Sequence, residues 1–170
     1  MPIEPDTKDW TWVLNESCGE CGFSAGDFPA TKVADRIRED LPHWEEALRR
    51  GTVAERPGPN TWSGLEYAAH VRDVFVLFTE RTELMLGQDN PVFADWDQDQ
   101  AARELNYAGQ VPLVVARDLV DSGEKYAALL EATTAWDRTG RRSNGSQFTV
   151  ATLAQYGLHD VVHHLHDVNG

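Results

Sequence analysis

The sequence predicts an all-α protein, a four-helix bundle with an extended N-terminal arm, forming one domain over residues 1–170. Four stretches repeat apolar residues at three- and four-residue steps, the period of a helix with one buried face. The segments between them are rich in Pro, Gly, Ser and Asn, and none shows a convincing strand alternation. A chain of 170 residues with 41% hydrophobic content can bury one real core, and no shift in composition marks a second domain.

The arm occupies residues 1–29 and carries Trp10, Trp12, Val13 and Leu14, then the Gly-rich knuckle Cys18-Gly19-Glu20-Cys21-Gly22-Phe23. Its tryptophans are expected to pack it on the domain. The first helix is expected over 31–50, with Val33, Ile37, Leu41, Trp44 and Leu48 as its stripe, a kink at Pro42 and a stop at Gly51. His43, beside that proline and among acids, reads as a surface residue. Residues 52–60, with Arg56-Pro57-Gly58-Pro59-Asn60, form a loop. The second helix opens at Ser63, with Glu66 as capping-box partner, and runs to about Leu86 before Gly87. Leu65, Ala69, Val74, Leu77, Phe78 and Leu84 are its expected core residues.

Residues 90–107 read as irregular and polar, a solvated loop unless Trp96 packs inward and delivers Asp97 to a site. The third helix is expected over 111–133 on Val115, Leu119, Tyr126 and Leu130. Residues 136–147 break the pattern, with Arg138, Arg141 and Arg142 ahead of a Ser143-Asn144-Gly145 turn. These arginines could hold a ligand carboxylate or phosphate, or cross-bridge to surface acids. The fourth helix starts with Thr149 as N-cap and continues through Leu153, Tyr156, His159 and His163.

Net charge and hydropathy restrict the partners. A charge of −13 and a pI near 4.7 argue against a nucleic-acid groove or an anionic membrane surface. Residues 1–9 contain no apolar signal-peptide core, and the longest apolar runs, such as 111–116, are too short to span a bilayer. The expected location is the cytoplasm. Two cysteines three positions apart cannot supply the disulfide framework of a secreted domain.

The chemistry concentrates at the C-terminus, where Leu158-His159-Asp160-Val161-Val162-His163-His164-Leu165-His166-Asp167-Val168 holds four of the six histidines. His159 and His163 are i and i+4 on a helix, so their rings project from one face and can grip one ion. With His70 from the second helix they make three metal ligands and leave a coordination position open. His166, at i+7 from His159, is the alternative partner, and His164, turned about 100° from His163, is the least favoured. The Cys18-x-x-Cys21 knuckle admits three readings: a structural turn, half of a zinc site completed elsewhere, or a redox pair. The first is the expectation, with the cysteines away from the catalytic metal.

His70 within Trp62-Ser63-Gly64-Leu65-Glu66-Tyr67-Ala68-Ala69-His70-Val71-Arg72-Asp73, together with His-Asp-x-x-His-His in the last helix, resembles the DinB-like metalloproteins over nearly the whole chain. The Trp10-Thr11-Trp12-Val13-Leu14 leader with its Cys-x-x-Cys is similar to the actinobacterial branch. The resemblance implies a four-helix bundle with a divalent metal, zinc or nickel, held by His70, His159 and His163. It also implies, for several members, thiol transfer with bacillithiol or mycothiol. A related branch, the mycothiol-dependent maleylpyruvate isomerases, has Glu as the first ligand on the last helix, where this chain is expected to use His159.

The leading expectation is therefore a metal-dependent thiol S-transferase that joins mycothiol to an electrophile in detoxification, with a homodimer left open. Coordination would keep the thiol as thiolate. Asp160 and Asp73 are the residues expected to orient an imidazole, and Arg141 and Arg142 those expected to bind the cofactor's carboxylate. A metal-dependent hydrolase, with Asp97 as general base, and a non-catalytic metal-binding stress protein, with His166 closing the site, are the alternatives.

Overall fold

The computed structural model describes residues 3, 4, 6 and 9–169. Residues 1, 2, 5, 7 and 8 of the arm, part of the stretch expected to hold no apolar signal-peptide core, lie outside the described residues. Four long helices form the bundle: α1 (Val33–Leu48), α2 (Gly64–Gly87), α4 (Pro112–Glu131) and α5 (Val150–Asn169). A short helix, α3 (Gln98–Glu104), and three short strands, β1 (Val92–Phe93), β2 (Thr139–Arg142) and β3 (Gln147–Thr149), fill the connections. Among the described residues, no helix is long and apolar enough to cross a membrane.

The local chemistry explains the ends of these elements. Ser63 Oγ accepts from the Glu66 backbone N–H at 3.2 Å, and the Glu66 carboxylate accepts from the Ser63 N–H at 2.9 Å, a complete capping box. Thr149 Oγ1 accepts from the Thr152 N–H at 3.1 Å and starts α5 as expected. α1 runs through Pro42 as one continuous helix. Its stripe Val33, Ile37, Leu41, Trp44 and Leu48 is buried in full, as is the α4 stripe Val115, Leu119, Tyr126 and Leu130. On α2, Leu84 is exposed, and Phe75 and Met85 are buried in its region instead.

α1 and α2 each pack against both α4 and α5, so the two helices adjacent in sequence face each other across the bundle. The space between them is filled by Leu41, Trp44, Leu65, Phe75, Phe78, Leu119, Leu153 and Leu158. Gly157 lets α5 approach α2 closely: a Cβ there would lie 3.0 Å from the Phe78 ring. This close approach brings the C-terminal half of α5 against the His70 turn of α2.

The strands differ from the expected helix-and-loop pattern. β2 and β3 pair antiparallel, with Gly140 opposite Phe148, and β1 adds in parallel beside β2. Segments of two to four residues are too short to carry a period, and Thr-Gly-Arg-Arg has little β propensity, so pairing rather than local preference makes them strands. Arg138 donates from Nε to the Met85 carbonyl and from Nη2 to the Gln88 carbonyl, both at 2.7 Å, placing a cation at the C-terminus of α2. The arm folds back along α5 through 3-10 turns at Trp10–Leu14 and Ala25–Asp27. Gly26 permits this, because a Cβ there would lie 1.9 Å from the Leu14 carbonyl oxygen. Gln155 Nε2 ties the arm down by donating to the Phe28 carbonyl at 2.7 Å.

Candidate metal centres

α5 carries two interleaved i, i+4 pairs, His159 with His163 and Asp160 with His164, on adjoining faces. The bundle turns the second pair toward α2. His70 Nε2 lies 3.0 Å from Asp160 Oδ2, and His164 Nε2 lies 3.6 Å from Asp160 Oδ1. His70, Asp160 and His164 thus offer two imidazoles and a carboxylate whose donor atoms all lie within 4.8 Å of one another. Ligand bonds of about 2.0–2.2 Å at tetrahedral or octahedral angles separate donors by roughly 2.9–3.5 Å, so this donor set fits one divalent ion with positions left open.

Surrounding groups orient the donors. His70 is buried, with its ring stacked on Trp96 at 5.4 Å and 14° and tilted against Trp62 at 5.5 Å. Its Nδ1 has no hydrogen-bond partner among the described residues. His164 Nδ1 lies 2.9 Å from Asp167 Oδ2, which turns Nε2 inward. Burial alone would raise the Asp160 carboxyl, but His70 and His164 outweigh it and hold the group well below the ordinary carboxylate range. Burial would likewise lower His164, yet Asp160 and Asp167 raise it to about 9.

The first pair faces the arm. Cys18 Sγ lies 3.6 Å from His163 Nδ1, and Cys21 Sγ lies 3.8 Å from His159 Nε2. These four residues form a second group with all donors within 4.8 Å of one another. Burial and the neighbouring His163 push His159 down to about 4, so it is neutral at pH 7.

These placements revise the expected site. His70, His159 and His163 do not form one donor group: Asp160 and His164, not the His159/His163 pair, stand beside His70. The reason is rotational. Both pairs have the spacing to bind a metal, and only the packing of α5 decides which one faces α2. The cysteine knuckle, expected to lie away from the catalytic metal, stands beside His159 and His163 and apart from the His70 group. His166 is exposed and belongs to no donor group among the described residues. Asp160 is placed in the site, as a donor in its own right. Asp73 instead accepts from Tyr107 Oη and Arg72 Nε. Asp97 accepts from the backbone N–H groups of Asp99 and Gln100 as the N-cap of α3, so its carboxylate serves the helix. Trp96 does pack inward, but what it meets is His70.

A cavity of about 310 Å³ opens over both groups. Trp10, Trp62, Tyr67 and Tyr156 supply aromatic walls, and Glu4, Asp6, Glu20, Asp99, Asp160 and Asp167 supply carboxylates. No lysine or arginine lines it among the described residues, which leaves Arg141 and Arg142 outside. Arg142 lies over the Phe148 and Tyr156 rings, 5.5 and 5.8 Å from their centroids, and Arg141 is exposed on β2. Burial raises the Asp99 carboxyl above its ordinary value. The sequence signal for Asp99 was weak, since it is one of several carboxylates in a polar stretch.

Comparison with known proteins agrees with this architecture. The profile of the DinB superfamily matches residues 33–168, from the start of α1 nearly to the end of α5. The chain belongs to the DinB superfamily. Among solved structures, the DinB chain is similar to YfiT from Bacillus subtilis, described as a probable metal-dependent hydrolase with an unusual four-helix bundle topology. The TM-score is 0.68 at 16% identity, covering 82% of this chain and 83% of that one, a likeness of fold. A Halalkalibacterium halodurans protein provisionally named a metal-dependent hydrolase is 28% identical over 111 residues, 61% of this chain. The match spans 64% of that relative's length.

Proposed function

We propose that this DinB-superfamily protein is a metal-dependent hydrolase acting on a neutral or cationic small molecule. The observation that carries this reading is the His70–Asp160–His164 donor set beside a cavity lined by carboxylates and, among the described residues, by no lysine or arginine. A bound divalent ion would supply Lewis acidity and bring the pKa of a coordinated water toward neutrality. His70, Asp160 and His164 would hold it, and Trp62 and Trp96 would fix the His70 ring. Asp99, whose carboxyl burial raises above its ordinary value, is the proposed proton acceptor in place of Asp97. Tyr67, raised to about 12 by burial and the nearby Asp167, Glu66 and Glu20, stays protonated and can donate a hydrogen bond to a substrate oxygen. The acidic walls disfavour anionic substrates. The names of the two relatives support the same reaction class.

A second reading is favoured by one feature, the four aromatic side chains in the cavity wall. They offer apolar surface for an electrophile, as a thiol S-transferase of the actinobacterial, mycothiol-using type would need, with zinc or nickel holding the thiol. Turnover of a panel of neutral, cationic and anionic esters and amides, with and without mycothiol or glutathione, separates the two. Metal-dependent cleavage without thiol, fastest on the neutral and cationic members, is the expected result. Turnover of a chlorobimane only with added thiol would replace hydrolysis by thiol transfer.

A further inference from the structure

The knuckle and the last helix meet across 138 and 145 positions of sequence, Cys21 with His159 and Cys18 with His163. Zinc–sulfur bonds of about 2.3 Å and zinc–nitrogen bonds of about 2.0–2.1 Å at tetrahedral angles put sulfur and nitrogen roughly 3.5–3.6 Å apart. The two contacts, at 3.6 and 3.8 Å, lie at and 0.2 Å beyond the upper end of that range. Both cysteines are unbridged thiols, and Cys18, His159 and His163 are 1%, 4% and 7% exposed. The knuckle is shaped to aim two sulfurs at one point: Gly22 N–H donates to the Cys18 carbonyl at 2.8 Å, Cys18 N–H to the Phe23 carbonyl at 3.0 Å, and Gly22 takes the left-handed φ of +74°. His163 presents Nδ1 to Cys18, and its outer Nε2 faces Glu20 at 3.3 Å and Asp167 at 3.7 Å, the carboxylate–histidine arrangement that orients a ligand ring.

We propose that Cys18, Cys21, His159 and His163 form a second, closed metal site that binds zinc and pins the N-terminal arm to α5. Two thiolates neutralise the ion, and four protein donors fill its tetrahedron, so this site has no position for water or substrate. It is structural, and it does not depend on the reaction assigned to the His70 site. Its mechanical effect is on the cavity, because Trp10 and Glu20 of the arm form part of the wall. Trp10 also stacks on His159 at 6.0 Å and meets His163 edge-on at 5.5 Å. The two sites share the α5 backbone, since His159 precedes Asp160 and His163 precedes His164.

The test is metal content and cobalt spectroscopy of the full-length protein. The wild type should hold two ions per chain, one at His70, Asp160 and His164 and one at Cys18, Cys21, His159 and His163. His70→Ala should retain one ion, and cobalt in its place should show intense thiolate-to-metal charge transfer and tetrahedral ligand-field bands. Cys18→Ser/Cys21→Ser should also retain one ion, without the charge-transfer band, and should be cut faster in the arm by protease. If the double variant does not fold, the cobalt spectra of wild type and His70→Ala decide alone. A cobalt spectrum lacking thiolate ligation in His70→Ala, or a Cys18–Cys21 disulfide in the freshly purified protein, would overturn the proposal. Failure of the hydrolase reading would leave these spectra unchanged.

Discussion

Asp160 stands between two imidazoles, and the charge of one of them depends on it. In the metal-free protein, His164 should titrate near 9, followed by NMR of its ring protons, and Asp160→Asn should bring that value down toward the ordinary histidine range. The sign of the linkage follows from the raised value. The ion pair contributes stability to the metal-free chain fully below about pH 6.5, the unfolded-histidine value, and loses it as pH rises through about 9. Asp160, whose value is depressed, contributes above the ordinary carboxylate range and loses its contribution in acid. A metal must displace the His164 proton, so apparent affinity at the open site should rise with pH up to about 9, as measured by competition with a chelating dye. His70→Ala should weaken that affinity by orders of magnitude and abolish turnover, because two donors remain. Full metal occupancy of the Asp160 site in His70→Ala would remove His70 from the donor set.

At the scale of the element, the caps separate structural roles from chemical ones. Ser63 holds the N-terminus of α2 about two turns before His70, and its side chain accepts from the Glu66 backbone N–H. Ser63→Ala should cost about 1 kcal/mol in denaturant unfolding and leave metal content unchanged. Asp97 is an N-cap in a stretch that also presents Trp96 and Asp99 to the site. Asparagine caps a helix about as well as aspartate, so Asp97→Asn should keep both stability and turnover. A large loss of turnover with normal folding would restore Asp97 as the general base. Asp99→Asn, by contrast, should lower turnover by roughly 100-fold or more with the fold intact, the usual contribution of a general base. Capping boxes were readable because they depend on residues three apart. The α3 helix and the strands were not, because seven residues or fewer carry too little periodic pattern and owe their conformation to pairing and packing.

For the molecule as a whole, the bundle and its metals are separable. The hydrophobic core runs continuously through α1, α2, α4 and α5, so removing metal with a chelator should leave most of the helical circular dichroism. Loss of the whole helical signal on chelation would mean that metal binding and folding of the bundle are one event. The sequence by itself determined the four long helices, the main buried stripes and the concentration of metal chemistry on α5, because each is a local pattern with the helical period. It also contained the donors of the two sites, His70, Asp160 and His164 for one and Cys18, Cys21, His159 and His163 for the other, and the carboxylates that make the cavity acidic. How the donors are shared was decided only by the tertiary structure. Two i, i+4 pairs one residue apart differ by about 100° around the helix axis, and nothing local says which of them faces α2. The Gly157–Phe78 approach seats α5 so that Asp160 and His164 meet His70. The arm, folded back through Gly26, then brings the cysteines to the histidines left on the other face.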